Sequence, residues 1–143
     1  WIMENIDKGP GKEFRENVLD ASSKIEWFGN YLPFGVAGGN MDVVVVQSKD
    51  SRKFVTVVEL KAASLRMAEF KSVAHQVIAY CGFIRNAFKA YGELIEPIGI
   101  VISGPPSSLG PSTGISEYPD IRWVAYSIDD KGSVHFTPVQ RLQ

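Results

Sequence analysis

Two acidic side chains and one lysine stand at the ends of neighbouring apolar segments, where they could form a reactive site. Asp42 lies near the start of the valine-rich segment 41–47. Glu59 and Lys61 lie at the end of a second such segment, 54–61. Residues two apart in a strand project to the same face, so Glu59 and Lys61 would point the same way. If the two segments pair as strands, the three side chains meet at one point.

These residue types suit the binding of a hard divalent cation. Mg²⁺ prefers carboxylate and carbonyl oxygens together with water. Asp42 and Glu59 would supply two ligands and the backbone carbonyl of Leu60 a third. Such an ion lowers the pKa of bound water and neutralises charge on a phosphate. Lys61 could orient or deprotonate that water, or stabilise the transition state. The pattern therefore predicts phosphodiester hydrolysis.

Each of the three residues also has a purely structural interpretation. Lys61 could form an ion pair with Glu59 or with Asp42. Asp42 could be a turn residue entering its strand, and Lys61 a solvated strand end. Burying a carboxylate at the end of so apolar a segment is costly without a partner. That cost favours the functional interpretation of Glu59.

Length and composition limit the class of protein. The chain has 143 residues, which is enough for one domain, and we predict a single domain over 1–143. It is 45% hydrophobic and 22% charged, and no apolar run reaches the roughly 20 residues that cross a bilayer. The net charge of −1 means that any binding to nucleic acid needs local basic patches. The start at Trp1 predicts a fragment of, or a partner to, a larger protein.

The single cysteine, Cys81, lies in an apolar helical pattern and is predicted to be a packing residue. One cysteine forms no internal disulfide and no thiolate zinc cluster, which favours a reducing, intracellular setting, either cytoplasmic or associated with the nucleoid. The two histidines are isolated in the sequence, and each is predicted to lie at the surface or to be satisfied by a hydrogen bond.

Hydrophobic periodicity predicts an α/β sandwich around a mixed sheet, in the order α–β–β–β–α–β–β–β. Both valine-rich runs are apolar on each face, so helices should cover the sheet on both sides. The two valine-rich runs should pair as an antiparallel hairpin. The strand that follows the long helix should pair parallel to its neighbour, because a helical crossover suits parallel pairing. Pro33 argues against a central position for its strand. The predicted elements are a helix 12–23, a strand 25–34, the hairpin 41–47 and 54–61, a helix 66–91, and strands 98–102, 121–127 and 133–137, with a long loop 103–119.

Three motifs together resemble the PD-(D/E)XK nuclease superfamily, in particular archaeal Holliday junction resolvases, NucS-like nucleases and RecB-like nucleases. They are Gly39-Asn40-Met41-Asp42, Glu59-Leu60-Lys61 and Gln76-Val77-Ile78-Ala79-Tyr80. The resemblance covers roughly residues 9–102. It departs from the superfamily's pattern at Met41, which stands where the name-giving proline would be. The chain carries neither a Gly-x-Gly-x-x-Gly motif nor a P-loop lysine, so those modes of nucleotide binding are not indicated.

The resemblance implies a restriction-endonuclease-like mixed sheet flanked by helices, and a site that uses Mg²⁺ or Mn²⁺ to cut DNA. It implies catalytic roles for Asp42, Glu59, Lys61 and Gln76, and metal ligation by Asp42, Glu59, Leu60 and, as an outer ligand, Glu13. Homodimers are common in the superfamily. The structural alternatives are a polar helix flank for Gln76, a core position for Tyr80, and a helix-dipole acid for Glu13.

Two functions of different classes follow from this pattern. The first is a metal-dependent DNA endonuclease domain that hydrolyses phosphodiester bonds. The second is a catalytically weak or inactive nuclease-fold domain that binds DNA or serves in assembly, an alternative that the low basicity of the chain keeps open. RNA is a further candidate substrate. Metal-dependent cutting distinguishes the enzyme from the binding module.

Overall fold

Six strands and three helices are present in the part of the chain that the structure, a computed structural model, describes. That part comprises residues 1–33, 39–106, 118 and 120–139. A short 3-10 helix, Gly9–Gly11, leads into the second α-helix. The elements are α1 (Ile2–Asn5), α2 (Lys12–Asn17), β1 (Lys24–Pro33), β2 (Asn40–Lys49), β3 (Arg52–Ser64), α3 (Met67–Ala90), β4 (Ile98–Gly104), β5 (Ile121–Ile128) and β6 (Val134–Pro138).

The strands form one mixed sheet in the order β1-β2-β3-β4-β5-β6. β1, β2 and β3 pair antiparallel, and β2 and β3 form the predicted hairpin. After the crossover through α3, β4 pairs parallel to both β3 and β5, and β6 returns antiparallel to β5. Pro33 ends β1 at the edge of the sheet, where a missing backbone N–H is tolerated. The mixed α/β sheet predicted from the sequence is confirmed.

Apolar side chains cover both faces of the sheet because β2 and β3 alternate between two separate clusters. α3 packs on one face through its buried residues, among them Phe70, Val77 and Tyr80. The segment from α1 to Leu19 packs on the other face, with Phe14 buried against Phe136 of β6. Both valine-rich strands are therefore buried on each side.

The helix predicted over 12–23 is much shorter, since α2 ends at Asn17. The physical reason is local competition for hydrogen bonds around Asp20. Its carboxylate accepts the backbone N–H of Ser22 and the hydroxyls of Ser22 and Ser23, which forms an Asx turn. The buried Gln47 amide then donates to the carbonyl of Asp20 at 2.8 Å and fixes this turn to β2. The sequence pattern also missed α1.

The long helix agrees closely with its prediction, since α3 runs from Met67 to Ala90 instead of 66–91. None of the helices in the described ranges is both long and apolar enough to cross a membrane. Phe34, most of the glycine-rich approach to β2 and most of the predicted loop 103–119 lie outside the described residues.

Candidate active site

The candidate site lies where β2 and β3 separate. Backbone pairing between the two strands extends to Val43 and Val58, and β1 continues to pair with β2 as far as Asn40. At Asp42, the residue before Val43, a side-chain contact replaces the backbone pairing. Its Oδ2 accepts the N–H of Leu60 at 2.8 Å. Asp42 is thereby fixed next to Glu59.

Glu59 and Lys61 form the ion pair that the structural alternative predicted, but the pair satisfies only part of Glu59. Lys61 Nζ lies 2.8 Å from Glu59 Oε1. Glu59 is only 3% exposed, and its Oε2 is a buried atom without a hydrogen-bond partner among the described residues. Buried polar atoms are nearly always bonded, so this carboxylate oxygen is placed to accept a further bond from a cation or a water.

The environment of Glu59 opposes its negative charge. Burial raises the pKa of the Glu59 carboxyl, the hydrogen bond from Lys61 lowers it in part, and the neighbouring Asp42 carboxylate raises it again. Two carboxylates held together with one lysine ammonium leave a net negative charge beside the buried Glu59. A divalent cation would offset that charge.

The donor set fits a hard cation. Asp42 and Glu59 converge, and the Leu60 N–H points toward Asp42. In an antiparallel pair, the N–H and C=O of one residue face the same neighbour, so the Leu60 carbonyl faces the same side. No cluster of three or more His, Cys, Asp or Glu residues suited to a metal occurs in the described part of the chain. The rest of the shell would have to come from carbonyl, phosphate and water oxygens, which Mg²⁺ accepts.

Gln76 connects α3 to the start of β2 through a second side chain. Its amide donates to the hydroxyl of Tyr80, and that hydroxyl donates to the carbonyl of Asn40 at 3.4 Å. Asn40 is two residues before Asp42, so this chain of bonds holds the helix against the strand that carries the acid. None of the described contacts joins Gln76 to Glu59 or Lys61. Its direct catalytic role stays a prediction.

Glu13 lies in a different cluster, which sequence reasoning missed. Its Oε1 accepts the N–H of Phe136 at 2.9 Å, and its Oε2 lies 3.0 Å from Nδ1 of His135. The other ring nitrogen of His135 lies 2.9 Å from Asp129 Oδ2. Glu13 and His135 are 122 positions apart, and nothing in the local sequence signals their contact. Both Glu13 oxygens are engaged by β6, and its role as an outer metal ligand stays a prediction.

The charges of this second cluster support one another. The carboxylates of Asp129 and then Glu13, which accept hydrogen bonds from the ring, raise the pKa of His135. The N–H of Phe136 lowers the pKa of Glu13, and the bond from His135 lowers the pKa of Asp129. The cluster therefore joins α2, β6 and the β5–β6 turn.

Three basic residues of the N-terminal segment and the start of α3 are engaged in local contacts. Lys12 pairs with Glu16 at 3.7 Å, and Arg66 pairs with Glu69 at 3.1 Å. Arg15 donates to two backbone carbonyls in the N-terminal segment.

Comparisons with known proteins find similarity in structure. No protein-family profile matches the chain, and no curated protein matches it. Among solved structures, the chain is similar to a chain of the EndoMS–dsDNA2 complex, with 15% sequence identity and a TM-score of 0.46. The match covers 87% of this chain, which spans 42% of that chain's length.

Proposed function

We propose that the chain is a metal-dependent nuclease domain with a restriction-endonuclease-like fold that hydrolyses phosphodiester bonds in DNA. The observation that carries the proposal is the buried, unpartnered Oε2 of Glu59, which lies beside Asp42 while Lys61 holds the other oxygen. The choice of DNA rests on the resemblance of the three motifs to those of the nuclease superfamily.

Mg²⁺ or Mn²⁺ is the cofactor that suits this donor set. Asp42 and Glu59 would hold the ion together with the Leu60 carbonyl. A bound ion would supply a lowered water pKa and neutralisation of phosphate charge. Because Asp42 is already bonded to Leu60 N–H, its carboxylate is oriented before any ligand arrives. Such orientation lowers the reorganisation that binding requires.

Lys61 is the group that acts on the reacting atoms. Its side chain is 35% exposed, whereas that of Glu59 is 4% exposed, so the ammonium reaches solvent from a buried partner. A lysine in this position donates hydrogen bonds to the attacking water or to a phosphate oxygen and stabilises the charge that develops there. Gln76 acts through Tyr80 to hold the start of β2.

A cleavage assay tests the proposal. The protein is incubated with branched, mismatched, single-stranded and fully paired DNA, and with RNA, in Mg²⁺, in Mn²⁺ and in EDTA. We expect metal-dependent cutting that Lys61→Met reduces by about a hundredfold or more, the effect of removing one preorganised donor. Lys53→Met is the matched control, because Lys53 also lies on β3 and pairs with Glu93 at 3.1 Å far from the site.

The outcomes separate the two classes of function. Cutting that survives EDTA, or that Lys61→Met and Lys53→Met affect equally, contradicts this site assignment. Binding of DNA without cutting of any substrate in either metal would instead support a DNA-binding or assembly module on the same fold.

A further inference from the structure

The end of β3 that carries Lys61 departs from the regular sheet. Its parallel register with β4 is regular up to Leu60 and resumes only at Ser64. Over the same interval β4 advances by two residues, from Ile102 to Gly104. Residues 61–63 therefore form a bulge, and they have no partner residue on β2 or β4 in the registers of the described strands. Bulges beside functional sites commonly redirect a side chain.

The bulge closes tightly because position 104 is a glycine. A Cβ added there would lie 3.0 Å from the backbone N of Ser64 and 3.2 Å from its Oγ, which is closer than side chains normally approach. β3 thereby returns to β4 directly after the bulge. Both ends of the bulge are held to β4, whereas its middle residue, Ala62, is held by a contact from another strand.

Tyr126 of β5 provides that contact. Its hydroxyl donates to the carbonyl of Ala62 at 2.6 Å, across 64 positions of sequence. The bond spans β4, which lies between β3 and β5 in the sheet. Tyr126 is itself fixed, because its backbone pairs with Phe136 of β6 and its ring packs on the apolar cluster to which Phe136 belongs. A well-anchored side chain therefore fixes the residue that follows Lys61.

Lys61 stands between the two faces of the sheet. Its Nζ lies 2.8 Å from Glu59 Oε1, and Glu59 shares the face of Val57, which packs toward α3. Lys61 also lines a cavity of about 590 Å³ on the opposite face, together with Ala62 and Tyr126. A lysine has a flexible stem of four carbons, so its ammonium can leave Glu59 for solvent when its backbone moves. The shape of the bulge therefore decides where the ammonium lies.

We propose that Tyr126 is a positioning residue, whose bond to Ala62 sets the bulge so that the Lys61 ammonium stays at Glu59. The proposal rests on the nuclease function proposed above, because it assigns Tyr126 to the same site. Catalytic groups need supporting contacts that hold them to within about 0.5 Å, and a displacement of about 1 Å costs up to about a hundredfold in rate. Tyr126 acts through the backbone beside Lys61 and not on the substrate.

Tyr126→Phe tests the proposal, since it removes the hydroxyl and leaves the ring on its cluster. In single-turnover cutting of DNA with Mg²⁺, we expect the rate constant to fall by about tenfold or more, with the half-saturating protein concentration changed by less than about twofold. In a Lys61→Met background the same change should have little further effect, because the group that Tyr126 positions is gone. Tyr91→Phe is the control, because Tyr91 is 88% exposed at the end of α3, and it should behave like the wild type.

NMR of the metal-free protein in EDTA provides a measurement that does not depend on cutting. The two ε-protons of a lysine have separate resonances when the side chain is fixed and a single averaged resonance when it rotates freely. We expect separate resonances for Lys61 in the wild type and in Tyr91→Phe, and merged resonances in Tyr126→Phe. Loss of the signal in Lys61→Met assigns it. Thermal melting should place Tyr126→Phe within about 5 °C of the wild type, as expected for the loss of one hydrogen bond.

The outcomes separate the positioning role from the nuclease function. Merged Lys61 resonances in the wild type, separate ones in folded Tyr126→Phe, or an equal loss of rate with and without Lys61 would each overturn the positioning role and leave the nuclease function in place. If Tyr126→Phe frees Lys61 but no metal supports cutting by the wild type, the nuclease function fails and the contact between Tyr126 and the bulge is upheld.

Discussion

A glutamate that is 3% exposed, with one oxygen bound to Lys61 and the other without a partner, destabilises the fold that contains it. A buried unsatisfied acceptor costs about 1–3 kcal/mol, and more when it is charged. A cation bound at Oε2 would remove that cost, because it would bond the oxygen and offset its charge. The cost at Glu59 is therefore the residue-scale reason to expect a metal there.

Glu59→Gln should abolish metal-dependent cutting and yet stabilise the metal-free protein at alkaline pH. The folded-state pKa of Glu59 is raised above its unfolded value. In the unfolded chain the pKa of Glu59 is about 4.5, and below that pH the group takes nothing from the free energy of unfolding of the wild type. That free energy decreases as pH rises through the higher pKa of Glu59 in the folded protein. Glutamine does not ionise, so Glu59→Gln lacks this decrease. Thermal melting in EDTA between pH 5 and 8 measures the difference.

Glu93→Gln is the control for Glu59→Gln, because Glu93 is a partly exposed acid that also pairs with a lysine of β3. We expect its melting curve to follow that of the wild type at each pH. A Glu59→Gln protein that is less stable than the wild type at pH 8 would argue that the carboxylate is a structural ion-pair partner.

At the scale of elements, the cluster of Glu13, His135 and Asp129 connects α2 to β6. Because the pKa of His135 is raised above 6.5, its stabilising contribution is complete below that value and is lost as pH rises through the folded pKa. The pKa values of Glu13 and Asp129 are lowered, so their contributions are lost only as pH falls below about 4. Without added metal, the free energy of unfolding of His135→Gln should therefore decrease less than that of the wild type as pH rises from 6 to 8. Thermal melting at each pH measures the difference.

The same cluster provides a test of the role of Glu13. If its carboxylate serves to fix β6, Glu13→Gln lowers the melting temperature and leaves the affinity for Mg²⁺ unchanged. A tenfold loss of metal affinity with unchanged melting would instead support the outer-ligand role that the superfamily resemblance implies. Isothermal titration with Mg²⁺ separates the two outcomes.

The link between α3 and β2 should matter more for activity than for stability. Gln76→Leu removes the donor to Tyr80, and since Gln76 is exposed the cost in stability should be about 1 kcal/mol or less. Cutting should fall by about tenfold or more, because a displacement of 1 Å in a catalytic group costs up to about a hundredfold. The more distant Arg85→Leu serves as the control in the same assay.

Sequence patterns predicted the elements whose signals are local. α3 was found because Val73, Val77 and Ile84 repeat at helical spacing, and the hairpin because two valine runs flank a polar turn. The overlong α2 was wrong because the side chain of Asp20 captures backbone and hydroxyl donors that periodicity does not represent.

At the scale of the whole molecule, the unpredicted features depend on distant contacts. The convergence of Asp42 with Glu59 followed from strand pairing, which the sequence indicated. The contact between Glu13 and His135 could not be predicted in this way, because it joins opposite ends of the chain. The left-handed backbone of Tyr31 could not be predicted either, because tyrosine is not a residue that signals this conformation. Both features appear only when the edge strands β1 and β6 are in place.

A metal at the candidate site would join β2 to β3 at the point where their backbone pairing stops, so its effect should extend to the stability of the whole sheet. Ligand bound only to the folded state adds about 2.7 kcal/mol at a hundredfold excess over Kd. For a chain of this size that is a rise in melting temperature of roughly 5–10 °C. The rise should grow with pH through the raised pKa of Glu59, because only the deprotonated carboxylate binds the ion. Differential scanning calorimetry with Mg²⁺, with Mn²⁺ and with EDTA measures the shift. Glu59→Gln should show little of it, and an equal shift in that variant would place the metal elsewhere.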